Sequence, residues 1–319
     1  MTTYGFHASH EQIAPSALLK DLRAAEQAGF AMAMCSDHFF PWSERQGHSG
    51  FTWSWLGAAL ATTSLRIGCV NAPGQRYHPT VVAQATATLG EMFPGRHWVA
   101  LGTGQAMNEH ITGDPWPAKH VRRRRLDECV DVIRRLHAGE EVDHDGLVRV
   151  SQARLYDLPA EPVPLLAAAI SATTAAHVAR WADGLITINQ PVDTLREVIA
   201  SYRDNGGRGP IALQVHLSWA PTEEEATALA VDQWRSNVFA EPLSLDLPTP
   251  LHFDIASADV TAETVACAVR ISADPARHVA WLREYAELGF DEIYLHHVGQ
   301  DQRAWIETAA TSVLPALED

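Results

Sequence analysis

The spacing of apolar and polar positions along the chain switches repeatedly between two periods. Thr3–Ala8 alternates in a β-rich run that breaks at Ser9. Ala17–Ala28 then carries apolar residues at helical spacing behind Pro15, until Gly29 stops it. Phe30–Met34 is a short apolar run that predicts a buried strand, and Phe51–Thr62 predicts a helix closed by Thr63-Ser64. Leu65–Val70 predicts the next strand, with a turn at Asn71-Ala72-Pro73-Gly74-Gln75. Pro79–Gly90 predicts a helix, and Trp98–Leu101 the fourth strand. Strand then helix, repeating at about 30 residues per unit, predicts parallel strands joined by right-handed crossovers.

Beyond this point the rhythm is interrupted. Gly102 to Asn108 is a glycine-bearing loop and Arg124–Ala138 a helix, whereas Val142–Tyr156 holds Asp145-Gly146 between β-type runs and predicts an inserted hairpin. Pro164–Ala169, Gly184–Ile188 and Ile211–Ser218 supply strands five to seven, with helices from about Ser171 and Val192 and another over Glu223–Val238. Pro242–Asp259 has several prolines and no clean period, so it is an excursion rather than a barrel element. Pro275–Leu288 is a helix and Glu292–His296 the last strand. The sum is an α/β chain, a (β/α)8 TIM-type barrel in a single domain over 1–319, with insertions near 140–158 and 240–272. A doubly wound sheet would place a glycine fingerprint after strand one, where Ala8-Ser9-His10 stands.

Composition narrows the function. A chain of 319 residues with 46% hydrophobic positions can bury one large barrel core. The net charge of −15 argues against nucleic acid as partner, and the basic run Arg122 to Arg125 reads as solvated and ion-pairing positions on a helix. There is no apolar run of bilayer length and no basic-then-apolar leader, so no membrane partner is expected. Cys35, Cys69, Cys129 and Cys267 lack CxxC spacing, which predicts a cytoplasmic protein without structural disulfides or a zinc knuckle.

Candidate chemistry gathers where the second strand ends, at Cys35-Ser36-Asp37-His38-Phe39-Phe40-Pro41-Trp42. C-terminal strand ends of a barrel face its active site, so His38 and Trp42 are expected to line a catalytic pocket, with Trp53 and Trp55 shaping an apolar slot. The chain has 16 histidines, and His7, His38, His78, His216 and His296 fall near predicted strand ends. No HxH follows strand one, however, and strands five and six end without histidine, so no metal site is expected. Ser171, Ala172 and Thr173 open a helix whose amides and hydroxyls would suit a phosphate, ordinary N-capping by Ser171 being the competing reading.

Taken in order, Ser36-Asp37-His38-Phe39, Pro41-Trp42, Arg76-Tyr77-His78-Pro79, Gly102 to Glu109, Ala182-Asp183-Gly184 and Asp301-Gln302-Arg303 resemble the bacterial luciferase-like oxidoreductases. Within them the likeness is to the branch holding glucose-6-phosphate dehydrogenases that use the deazaflavin coenzyme F420. The resemblance implies a barrel with a flavin or deazaflavin at its C-terminal face, a homodimer, and a small-molecule substrate. It makes His38 the active-site histidine, sets Trp42 beside the reacting ring, and assigns cofactor contacts to Asp37, Gly104, Asn108 and Ser171 to Thr173. It also implies a non-proline cis peptide near Cys69, Val70 and Asn71, three further cofactor contacts. Where the dehydrogenases carry a glutamate proton donor this chain has Gln105, and an amide is no general acid. Cations for a sugar phosphate are absent around Asn189-Gln190-Pro191 and Cys267, which excludes glucose 6-phosphate. Likeness to a sub-branch that uses ordinary flavin favours FMN as cofactor, with F420 as the alternative and NAD(P)H as candidate electron donor. The expected activity is hydride transfer through FMN. The alternatives are an F420-dependent dehydrogenase or reductase, a monooxygenase, and a flavin-binding protein without turnover.

Overall fold

A computed structural model describes residues 2–318. Its strands are β1 (Thr3–Ala8), β2 (Met32–Ser36), β3 (Arg66–Asn71), β4 (His97–Leu101), β5 (Val142–Asp145), β6 (Arg149–Ala153), β7 (Leu165–Ala168), β8 (Leu185–Ile188), β9 (Ile211–Ser218), β10 (Arg270–Ile271) and β11 (Glu292–His297). Eight of them close a parallel barrel in the order β1-β2-β3-β4-β7-β8-β9-β11, with β11 returning to β1. This is the (β/α)8 TIM-type barrel. β10 adds two residues beside the end of β9, pairing with Leu217 and Ser218. β5 and β6 form the predicted antiparallel hairpin outside the barrel.

Successive strand residues face opposite ways, so each strand serves two cores. Met32, Met34, Trp98, Ala100, Leu166, Ile186, Ala212 and Tyr294 fill the barrel interior. Ala33, Cys35, Ile67 and Cys69 face outward, packed with Leu18, Leu22, Leu56 and Leu60 of the surrounding helices. Large interior rings require small partners. A Cβ on Gly68 would sit 1.9 Å from the Trp98 ring, and one on Gly5 would sit 2.6 Å from Tyr294, so neither position admits a side chain.

The structure moves several predicted boundaries. β2 starts at Met32, not Phe30, and runs to Ser36, which pairs with Val70. The helix read from Arg124 begins at Lys119, and its basic run is not uniformly solvated. Arg122 is buried, lies 4.3 Å from the Trp116 ring centre and donates to the Pro117 carbonyl at 2.7 Å. The excursion after Pro242 is largely helical, at Pro250–Ala256 and Ala262–Ala268. Pro250 occupies a first-turn position, where a missing N–H is harmless, and Thr261 caps the second helix. The only cis peptide among the described residues is Glu241-Pro242; the bonds around Cys69, Val70 and Asn71 are trans.

Candidate active site

A cavity of about 360 Å³ opens at the C-terminal ends of the barrel strands. His38, Trp42, Gln105, Asp37, Val70, Asn71, Gly104 and Asn108 all contribute to its lining, so the structure brings together most of the residues singled out in the sequence.

One wall is charged and largely paired within itself. Asp37 follows β2, and its Oδ2 accepts from Asn71 Nδ2 at 2.7 Å and lies 3.4 Å from Arg76 Nη2. Arg76 also donates to the Asp37 carbonyl at 2.6 Å, while its backbone N–H donates to Glu109 Oε2 at 2.8 Å. Burial raises the Glu109 carboxyl above the usual range, against the lowering pull of Arg76. Asn108 accepts from the Phe39 and Phe40 N–H groups at 2.8 and 3.2 Å and donates to Gln105 Oε1 at 3.0 Å. Asn108 therefore splints the loop after β2 to the loop after β4, with its carbonyl oxygen used inside the protein.

Next to this wall stands a histidine–carboxylate pair. His38 Nδ1 lies 2.5 Å from Glu11 Oε1, and Ser9 Oγ donates to Glu11 Oε2 at 2.8 Å. Burial alone would raise the Glu11 carboxyl, but the charge and hydrogen bond of His38 reverse this and lower it to about 2. Glu11 is therefore ionised. Trp42 meets the His38 ring edge-on at 5.4 Å and Phe253 at 5.3 Å, which fixes the imidazole against an aromatic wall. Glu11 lies in the turn after β1 and carries no periodic signal, so the sequence reading did not single it out.

The opposite wall is formed by β1, β9 and β11. His7 stacks on His296 at 4.1 Å, and His216 meets Trp234 at 4.7 Å. Burial drives the His7 imidazole down to about 4 and His216 to about 3, so both are neutral. His216 meets His296 edge-on at 5.4 Å, so these strand-end histidines converge by ring-to-ring contact. No group of three or more His, Cys, Asp or Glu among the described residues is arranged to hold a metal ion.

Some predicted residues lie elsewhere. Cys69 faces the outer helices, away from the cavity, because it alternates with Val70 along β3. Ser171, Ala172 and Thr173 are not in the lining. Ser171 is the N-cap of the short helix Ala172–Val178, accepting from Thr174 N–H at 3.4 Å, and Thr174 and His177 reach the cavity instead. Trp55 packs in the outer core and donates to the Pro15 carbonyl, and Trp53 packs against the same core. Neither shapes the cavity.

The closed barrel thus carries an apolar and polar cleft at its strand ends, with a carboxylate–histidine pair in its wall. The chain belongs to the luciferase-like monooxygenase family, which it matches over residues 1–292. It is thus an oxidoreductase of the luciferase-like flavin and deazaflavin class. The F420-dependent glucose-6-phosphate dehydrogenase of Nakamurella multipartita is 34% identical, over 98% of this chain and 96% of that protein. The F420-dependent hydroxymycolic acid dehydrogenase of Mycobacterium tuberculosis is also 34% identical, over 97% of this chain and 86% of that protein. Among solved structures, an F420-dependent secondary alcohol dehydrogenase in complex with an F420-acetone adduct superposes with a TM-score of 0.92. It shares 28% identity over 100% of this chain and 99% of that one. No helix among the described residues is long and apolar enough to cross a membrane.

Proposed function

We propose that this chain is an F420-dependent oxidoreductase that interconverts a small alcohol and its carbonyl compound. The observation that carries the reading is the ionised Glu11 held 2.5 Å from His38 in the cavity wall. The relatives named above support F420 over FMN, which the sequence alone had favoured.

The residues present suit a deazaflavin. Asn71 Oδ1 is a buried acceptor without a donor. It stands in the lining, beside the apolar Val70, Ala168 and Ile186. A ring system edged with N–H donors would satisfy this oxygen while its face covers the apolar side chains. Arg123 and Thr174, also in the lining, suit the anionic part of the coenzyme. Bound there, F420 would supply the hydride acceptor for alcohol oxidation or the donor for carbonyl reduction.

The chain's own part is proton handling. The Glu11 carboxylate favours a proton on His38 Nδ1, which leaves Nε2 with its lone pair. That nitrogen can take the hydroxyl proton as the carbon loses hydride. The imidazolium so formed lies against Glu11, which stabilises its charge. In the reverse direction the same proton returns to the new hydroxyl. Gln105 is compatible with this scheme, since an alcohol releases one proton and His38 can receive it.

The test is an assay of the purified protein with F420 and with FMN, against a series of uncharged alcohols and glucose 6-phosphate. F420 reduction by at least one uncharged alcohol and none by glucose 6-phosphate is expected. Turnover with FMN alone, or with glucose 6-phosphate, would sink the proposal. A homodimer is part of the same reading. Sedimentation showing only a 34.9 kDa species at micromolar concentration would refute that part.

A further inference from the structure

A backbone carbonyl fixes the proton positions of the histidine wall. Gln12 Nε2 donates to the Val298 carbonyl, which can only accept, so the Gln12 amide has one orientation. Its Oε1 then faces His296 Nε2 at 2.9 Å and requires a proton there. Burial holds the His296 imidazole well below its ordinary range, so it is neutral and its Nδ1 is a lone pair. That lone pair meets Gln214 at 3.1 Å, which must present its NH2 group. The same NH2 group lies 3.1 Å from His216 Nε2, so His216 accepts there and carries its single proton on Nδ1. The Nδ1–H of His216 has no partner among the described residues, and His216 lines the cavity. His7, 2% exposed, adds two more unpartnered ring nitrogens, one a donor and one an acceptor in its neutral form.

These atoms specify a ligand chemistry. A hydroxyl group, which both donates and accepts, matches the paired demand of His7, and a second hydroxyl matches the His216 donor. A monohydric alcohol engaged at His38 leaves them unmet. A phosphate or carboxylate meets no cation among these side chains, and Lys119, also in the lining, is ion-paired with Glu241. Trp234 lies 4.7 Å from His216 and 4.8 Å from His296, giving the C–H face of such a ligand an aromatic surface.

We propose that His7, Gln214, His216 and His296, with Trp234, form a hydrogen-bonding subsite for the non-reacting hydroxyls of an uncharged polyhydroxy substrate. The proposal rests on the functional reading above only for the identity of the reacting group; the subsite itself is defined by this chain's own side chains.

Calorimetry on the full-length protein, with and without F420, tests it using glucose, myo-inositol and glycerol against 2-propanol and glucose 6-phosphate. At least one of the three uncharged polyols is expected to bind tenfold or more tightly than 2-propanol and than glucose 6-phosphate. His7→Phe and His216→Phe should each weaken that polyol about tenfold and leave 2-propanol unchanged. Nitrogen-15 NMR of the wild-type protein should find the His216 proton on Nδ1, a readout that survives if a variant fails to fold. No polyol preference, tighter binding of glucose 6-phosphate, or an Nε2–H tautomer of His216 would each overturn the subsite. If F420 fails to bind while the polyol preference holds, the functional reading falls and the subsite stands. If F420 binds without that preference, the subsite alone falls.

Discussion

The two polar walls of the cavity use their hydrogen bonds differently. Around Asp37, Arg76 and Glu109 formal charges abound, yet they are turned on one another, and Asn71 and Asn108 splice the loops together. Across the barrel the histidine wall carries no charge, but His7 leaves both ring nitrogens unpartnered. Charge in a cavity wall can thus be structural, while a neutral side chain with unpartnered atoms remains open to a ligand. Between the walls stands Glu11–His38, where an ionised carboxylate and a partly exposed histidine combine both roles.

The contrast can be broken by substitution. His38→Ala should lower turnover by on the order of 10²–10⁴, the usual weight of proton transfer, with an unchanged circular dichroism spectrum. A loss below tenfold would remove His38 from the chemistry. Arg76→Ala should be the costliest change on the charged wall. It leaves Asp37 and Glu109 buried without their cation, and about 3–5 kcal/mol of stability should be lost in urea unfolding. His7→Phe on the other wall removes unpartnered nitrogens and should stay within about 1 kcal/mol of wild type. Equal costs for the two would erase the distinction between brace and reader.

Acid sharpens it further. His7 and His97 are held down to about 4, and His216 and His297 to about 3, from an ordinary 6.5, all by burial. Below pH 6.5 the unfolded chain binds protons that the folded chain refuses, so stability falls as pH drops toward 3. Glu11, lowered to about 2 from 4.5, adds a loss of the same sign below pH 4.5. The summed effect is on the order of several kcal/mol. A flat melting temperature between pH 6.5 and pH 4 would contradict neutral histidines on this wall. Ser171→Ala should cost about 0.5–2 kcal/mol as a lost N-cap and leave coenzyme affinity unchanged. A loss of coenzyme affinity would return Ser171 to the binding site.

Much of the barrel was legible because its strands are buried on both faces. Ile211–Ser218 is buried at every position, and the predicted and observed bounds coincide. Thr3–Ala8 also coincides. The strand read as Phe30–Met34 slipped by two residues because Ser36, though polar, still pairs with Val70 in the sheet. The cavity lining was legible where a motif marked a strand end, as at Asp37-His38 and Trp42. Cys69 was misplaced because the alternation of one strand decides which side chain faces inward, and a motif spanning Cys69 to Asn71 does not carry that phase. Glu11 was invisible for another reason: it reaches His38 from a turn 27 positions earlier in the chain, a contact that only barrel closure creates. His7, His216 and His296 were noticed as strand-end histidines. Their stacking and proton positions depend on Gln12, Gln214 and the Val298 carbonyl, which no spacing rule connects.

The central claim, that the cavity serves a deazaflavin, is tested most directly by titrating the cofactor-free protein with F420 and with FMN and following intrinsic tryptophan fluorescence. Trp42 and Trp234 line the cavity and report on its occupation. F420 is expected to bind at least tenfold more tightly than FMN, about 1.4 kcal/mol or more in binding free energy. FMN binding as tightly as F420, or more tightly, would contradict the account.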